Sequence, residues 1–163
     1  MLRMTLLGVG TGVPDQDRDN THMVWEAPDG LLLIDAGGST FQRLLRAGLD
    51  PMQLTGIFLT HSHTDHINGL PGLLFSLRLA GFERRLPIYG NAPTLALVRR
   101  ILEAFEFESY VTANDWIEVA GGQEVPIGSS HYRLRVADTE HSRPCLALRF
   151  EDTSTGKVLV YSA

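Results

Sequence analysis

The pattern of apolar and polar positions along this chain predicts a mixed structure of strands and helices. Short apolar runs bounded by turn residues predict strands, since a strand needs only about four to eight residues. These runs cover residues 2–8, 23–27, 31–35, 56–60, 86–89, 132–137, 145–150 and 158–161. Apolar residues at helical spacing predict helices at residues 39–47, 70–79 and 93–105. Such a mixture is typical of a sheet that carries helices on its outer face.

Residues 61–66, His-Ser-His-Thr-Asp-His, form the densest group of metal-ligand side chains and directly follow the apolar run 56–60. In an extended segment His61 and His63 point to the same side, so both can face one metal ion. Asp65 and His66 follow where the backbone bends, and can face a second ion nearby. Nitrogen and oxygen ligands without a thiolate favour Zn²⁺, with Mn²⁺ or Fe²⁺ as alternatives.

Four segments of the chain resemble a known family. T-H-S-H-T-D-H at 60–66 resembles the signature of the metallo-β-lactamase superfamily. LLGVGTG at 6–12, LIDAG at 33–37 and GLPGLL at 69–74 are similar to its ribonuclease Z-like branch. The resemblance implies an α+β fold, the metallo-β-lactamase-like αββα sandwich, with metals at the sheet edge. We expect residues 1–163 to form one such domain, comprising the first half of the sandwich and the beginning of the second sheet.

The resemblance also implies a set of metal ligands. His61 and His63 would bind one metal together with a later histidine, while Asp65 and His66 would bind a second metal. His141 fits the later histidine because it lies between the predicted strands 132–137 and 145–150. The alternatives are His131, which opens a strand, and His22, which follows the first turn.

Two carboxylates have further implied roles. A hydroxide that bridges two divalent metals is a nucleophile at neutral pH, and the metals polarise the phosphoryl or carbonyl oxygen under attack. We expect Asp65 to be the catalytic residue that orients this water or takes its proton. Asp35, in LIDAG, corresponds to a family position behind the ligands that orients one of them. The alternative for Asp35 is an ordinary turn residue.

Members of the family carry a metal-bridging aspartate and a final histidine beyond the strand that corresponds to residues 158–161. The chain ends at Ala163, so we expect a C-terminally incomplete domain that alone holds one tightly bound metal and is a poor hydrolase. The open strand edge would favour a homodimer. A non-enzymatic alternative is a metal-binding half-domain that acts as an interaction module.

The resemblance implies a zinc-dependent phosphodiesterase of ribonuclease Z type, acting in transfer-RNA 3′ processing or on a smaller phosphodiester such as a cyclic nucleotide. A thioester or lactam hydrolase of the same superfamily is the alternative. A net charge of −5 and a pI near 5.6 argue against broad electrostatic binding of nucleic acid. No apolar stretch is long enough for a membrane span, and a single cysteine, Cys145, is compatible with a reducing cytoplasm.

Overall fold

The structure, a computed structural model, describes residues 2–163, which form two β-sheets and a layer of helices. The first sheet contains β1 (Arg3–Gly8), β2 (His22–Ala27), β3 (Gly30–Ile34), β4 (Leu54–Leu59), β5 (Pro87–Gly90) and β6 (Asp115–Glu118). The second sheet contains β7 (Tyr132–Thr139), β8 (Cys145–Asp152) and β9 (Val158–Tyr161). The helices are α1 (Thr40–Arg46), α2 (Thr64–Ile67), α3 (Leu70–Leu79), α4 (Ala92–Ala104) and α5 (Glu108–Ala113), with a 3₁₀ turn at Pro51–Gln53.

The strand directions determine where the carboxyl ends of the strands meet. Strands β1, β2 and β3 pair antiparallel, whereas β3, β4, β5 and β6 pair parallel in that order. Parallel neighbours need crossover connections, and helices supply them here. The carboxyl ends of β3, β4 and β5 therefore lie at one edge of the first sheet, the place where α/β proteins usually bind ligands.

From residue 56 to residue 59, β4 is buried on both faces, which explains the apolar run in this part of the strand. Ile57 and Leu59 pack in the core between the first sheet and the helices. Phe58 points the other way and packs in the core between the two sheets, together with Ile34 and Phe150. Because β4 lies between β3 and β5 in the interior of the first sheet, residues 60–66 begin at the carboxyl end of a buried strand.

The structure confirms the predicted strands and the three predicted helices, with small shifts at their ends. It also contains α2, α5 and β6, which the apolar pattern did not predict because these elements have only four, six and four residues. Ser39 occupies the N-cap position of α1, but its side chain makes no capping hydrogen bond. Instead Asp19 Oδ2 accepts a hydrogen bond of 3.0 Å from the Ser39 backbone N–H.

Strand β9 lies at the edge of the second sheet, where β8 is its partner among the described residues. Its side chains at Val158, Leu159 and Val160 are exposed. A homodimer through this edge stays a prediction. No helix within residues 2–163 combines the length and the apolar character that a membrane crossing requires.

Replacing Phe58 with alanine is expected to lower the free energy of unfolding by about 3 to 5 kcal/mol. Phe58 is fully buried between the sheets, so its removal leaves a cavity that the two packed sheets cannot close. Chemical denaturation monitored by circular dichroism measures the change. Phe75→Ala is the matched control, because Phe75 is 43% exposed. Equal losses in both variants would contradict the inter-sheet core described above.

Candidate metal centre

The predicted ligands gather at the carboxyl edge of the first sheet. Asp35 directly follows β3, and the segment 60–66 directly follows β4 and continues into α2. His141 arrives from the loop between β7 and β8 in the second sheet. The centre therefore lies where the two sheets meet, and neither sheet supplies it alone.

Three imidazole nitrogens converge at this edge. Nε2 of His61 lies 3.0 Å from Nδ1 of His63, and Nε2 of His141 lies 3.1 Å from the same Nδ1 atom. The ligand atoms of the three histidines all lie within 4.8 Å of one another. His61 is buried, His63 is half-buried and His141 is exposed, so the cluster opens to solvent on the side of His141.

The other ring nitrogen of two of these histidines has a partner of its own. His61 Nδ1 lies 2.9 Å from Oγ1 of Thr60, and His63 Nε2 lies 3.2 Å from Oγ of Ser142. With a proton on each of these nitrogens, the nitrogen that faces the cluster keeps its lone pair. Neutral imidazoles with their lone pairs at one point are what a divalent metal requires.

Asp35 is a fully buried carboxylate behind the cluster. Its oxygens accept hydrogen bonds from the Thr60 backbone N–H at 2.8 Å and from the Thr60 hydroxyl at 2.9 and 3.0 Å. Oδ2 also lies 2.7 Å from Nδ1 of His66. Since the Thr60 hydroxyl donates to Asp35, its oxygen is left to accept from His61. Asp35 thus orients His66 directly and His61 through Thr60.

The backbone at Asp35 adopts a left-handed conformation, with φ of +58°. Few residues other than glycine adopt this region, although aspartate tolerates it better than most. The Asp35 N–H donates a bond of 2.8 Å to the Phe58 carbonyl, which holds the turn against β4. This turn brings the carboxylate beneath Thr60 rather than along the strand axis.

Asp65 and His66 form a second pair next to the three histidines. Oδ2 of Asp65 lies 3.6 Å from Nε2 of His66, and the His66 ring centroid lies 4.1 Å from that of His61. A side chain at Gly12 would bring its Cβ to 3.7 Å from Asp65 Oδ2. The glycine-rich turn after β1 therefore borders this pair.

Burial and neighbouring charges shift the pKa values of these histidines in different directions. Burial, followed by the neighbouring rings of His66, His63 and His141, lowers the pKa of His61 to about 3. Burial and the proximity of His141 also lower the pKa of His63. Burial alone would lower the pKa of His66, but the hydrogen bond and charge of Asp35 outweigh it and raise that pKa. His61 and His63 are therefore neutral at neutral pH.

The two alternative histidines, His22 and His131, lie outside the metal centre. His22 is fully buried, and its Nδ1 lies 2.8 Å from the Asn20 carbonyl oxygen. His131 is exposed in the turn before β7. Neither belongs to the metal-ligand cluster found among the described residues. Cys145 is a buried free thiol.

Sequence reasoning missed Thr60 and Ser142 as members of this centre. Both are small hydroxyl residues next to a histidine, and such residues occur in turns of every kind. Thr60 had a usable signal, because it stands between a buried strand and His61. Ser142 had none, since its contact with His63 spans 79 positions of sequence.

Comparisons with known proteins identify relatives of this chain. A family model described as "Anti-Pycsar protein Apyc1" matches residues 2–162. A curated ribonuclease Z from Methanothermobacter thermautotrophicus is 35% identical over 159 residues, which cover 98% of this chain and 51% of that protein. The chain spans about half the length of the curated relatives it matches.

Two solved structures share the fold. The short form of human tRNase Z superimposes with a TM-score of 0.81 at 23% identity, covering 98% of this chain and 68% of that one. The metallo-β-lactamase fold protein YhfI from Bacillus subtilis gives 0.77 at 25% identity, covering 99% and 61%. These likenesses confirm the expected αββα fold, with its first half and the beginning of its second sheet in the described residues.

Proposed function

The chain belongs to the family described as "Anti-Pycsar protein Apyc1", within the ribonuclease Z-like branch of the metallo-β-lactamase superfamily, and on that premise we propose that it is part of a metal-dependent phosphodiesterase. The convergence of His61, His63 and His141 on one point carries the proposal. The curated relatives named ribonuclease Z support the phosphodiester class of substrate. Residues 1–163 would form one metallo-β-lactamase-like domain.

The donor set fits a divalent metal. Three imidazole nitrogens suit Zn²⁺ best, and Mn²⁺ or Fe²⁺ also accept nitrogen and carboxylate ligands. His61 Nε2, His63 Nδ1 and His141 Nε2 would hold the first ion, and Asp65 with His66 would help to hold a second. When bound, two such ions supply Lewis acidity and a water of lowered pKa.

The protein's own groups would orient the reaction. Asp65 in α2 lies beside His66, and its carboxylate would accept a hydrogen bond from the attacking water and then take its proton. Asp35 holds His66 and, through Thr60, His61 in their metal-binding orientations. Ser142 does the same for His63. These contacts fix the ligands before substrate arrives.

A small phosphodiester, such as a cyclic nucleotide, fits the charges of this chain better than transfer RNA does. The net charge is −5, and the two arginines that follow α3 are engaged by other groups of the protein. Arg85 pairs with Asp115 at 2.6 Å, and Arg84 donates to the Met52 carbonyl. A large polyanion needs many free cations to neutralise its phosphates, whereas one small phosphodiester needs few.

The proposal is tested by turnover in the full-length protein. With Zn²⁺ present, we expect hydrolysis of bis-(p-nitrophenyl) phosphate and of a cyclic nucleotide, loss of both on chelation, and recovery when the metal is restored. Thioester, lactam and precursor transfer RNA substrates are assayed in parallel. Turnover of a thioester or a lactam without phosphodiester hydrolysis would overturn the phosphodiester class. Cleavage of the precursor transfer RNA alone would overturn the proposal that the substrate is a small phosphodiester.

A further inference from the structure

The loop that carries His141 is the least supported part of the candidate metal centre. Residues 140–144 are all exposed and join β7 to β8 without regular structure. Within residues 2–163, the backbone of this loop is tied to another element through the Pro144 carbonyl. This carbonyl accepts a hydrogen bond of 2.9 Å from Nδ2 of Asn91. A third ligand on such a loop needs an anchor if it is to be in place before the metal.

Asn91 is well placed to be that anchor. It directly follows β5, so it lies at the same edge of the sheet as Thr60, which follows the neighbouring strand β4. Its side chain is buried, and its Oδ1 caps α4 by accepting a hydrogen bond of 3.0 Å from the Thr94 N–H. The cap fixes the orientation of the amide, and the Nδ2 group is thereby directed at Pro144.

A second bond holds the start of β8, directly after this loop. The Leu146 N–H donates to the Thr60 carbonyl at 3.1 Å. The carboxyl ends of β4 and β5 thus each hold the segment that follows His141. The bond to Thr60 joins two backbone groups, whereas the bond to Asn91 depends on one side chain.

We propose that Asn91 is a positioning residue for the metal centre: it ties the N-terminus of α4 to the His141 loop and so pre-arranges His141 as the third ligand. The inference rests on the proposed function, because it assumes that His141 binds the metal. Loss of the Asn91 amide would leave the ligands themselves intact. The loop would then have to be ordered at the moment of metal binding, which weakens affinity.

Asn91→Ser separates this role from helix capping. Serine and asparagine are about equally good N-caps, so the bond to Thr94 is kept. The serine side chain is too short to reach Pro144. Asn114→Ser is the matched control: the Asn114 amide also donates to a carbonyl, that of Tyr110 at 2.8 Å, but it lies at the opposite edge of the sheet, before β6.

The experiment measures Zn²⁺ affinity of the full-length protein by competition with a chromophoric chelator, and the visible spectrum of the Co²⁺ form. We expect Asn91→Ser to bind Zn²⁺ roughly five- to tenfold more weakly, with an altered Co²⁺ spectrum and an unchanged melting temperature without metal. Asn114→Ser should keep the wild-type affinity and spectrum.

Two results would overturn the inference alone: an affinity of Asn91→Ser within about twofold of wild type, or equal losses of affinity in Asn91→Ser and Asn114→Ser. The second result would mean that affinity merely follows general stability. His63→Ala is assayed alongside to test the site itself. Zn²⁺ binding that is absent in wild type, or unchanged in His63→Ala, would overturn the proposed centre and this inference together.

Discussion

Replacing Asp65 with alanine in the full-length protein is expected to lower kcat for bis-(p-nitrophenyl) phosphate by on the order of 100-fold or more. The substitution removes a carboxylate that lies 3.6 Å from His66 Nε2 and would serve both as a ligand of the second metal and as the acceptor for the attacking water. Turnover and metal content are measured on the same sample, since the two roles predict different losses.

Asp29→Ala is the matched control for this variant. Asp29 is an exposed carboxylate in the turn between β2 and β3, at the opposite end of β3 from the site, and its removal should leave kcat unchanged. Near-normal turnover by Asp65→Ala with metal content unchanged would contradict the catalytic role of Asp65. Loss of one metal with activity intact would contradict a mechanism that needs two.

Replacing His63 with alanine is expected to weaken Zn²⁺ binding by on the order of 100-fold or more. Side chains that only hydrogen-bond to metal ligands already cost about 10- to 100-fold when removed, and a direct ligand should cost at least as much. His63 is the informative choice because its Nδ1 faces both His61 Nε2 and His141 Nε2. Chelator competition and elemental analysis measure the change.

His131→Ala removes the same kind of side chain outside the cluster and should leave Zn²⁺ affinity unaffected. His131 is exposed in the turn before β7. If His63→Ala and His131→Ala lost affinity equally, binding would be adventitious coordination by surface histidines. Comparable melting temperatures of the two variants without metal show that the fold is intact in both.

Local sequence predicted much of the fold and part of the site. Strand β4 and the segment that follows it were predictable because a run buried on both faces, with polar ligands directly after it, has few other interpretations. His141 was predictable only from the strands on either side of it together with the family resemblance. Its approach to His63 depends on how the second sheet packs on the first, which no local pattern encodes.

The supporting contacts were harder to predict, for a physical reason. Asp35 was expected behind the ligands, but its connection to His61 runs through the Thr60 hydroxyl, and this needs the left-handed turn at Asp35. Asn91 looks in sequence like an ordinary helix cap. Its second bond, to Pro144, joins positions 53 residues apart. Each such contact depends on distances between elements that the sequence pattern leaves open.

The most direct test of the account is a crystal structure of the Zn²⁺-loaded protein with anomalous diffraction at the zinc edge. We predict an ion about 2.0 to 2.1 Å from His61 Nε2, His63 Nδ1 and His141 Nε2, with His61 Nδ1 still bonded to Thr60. A structure in which zinc binds elsewhere, or in which His141 turns away from His61 and His63, would contradict it.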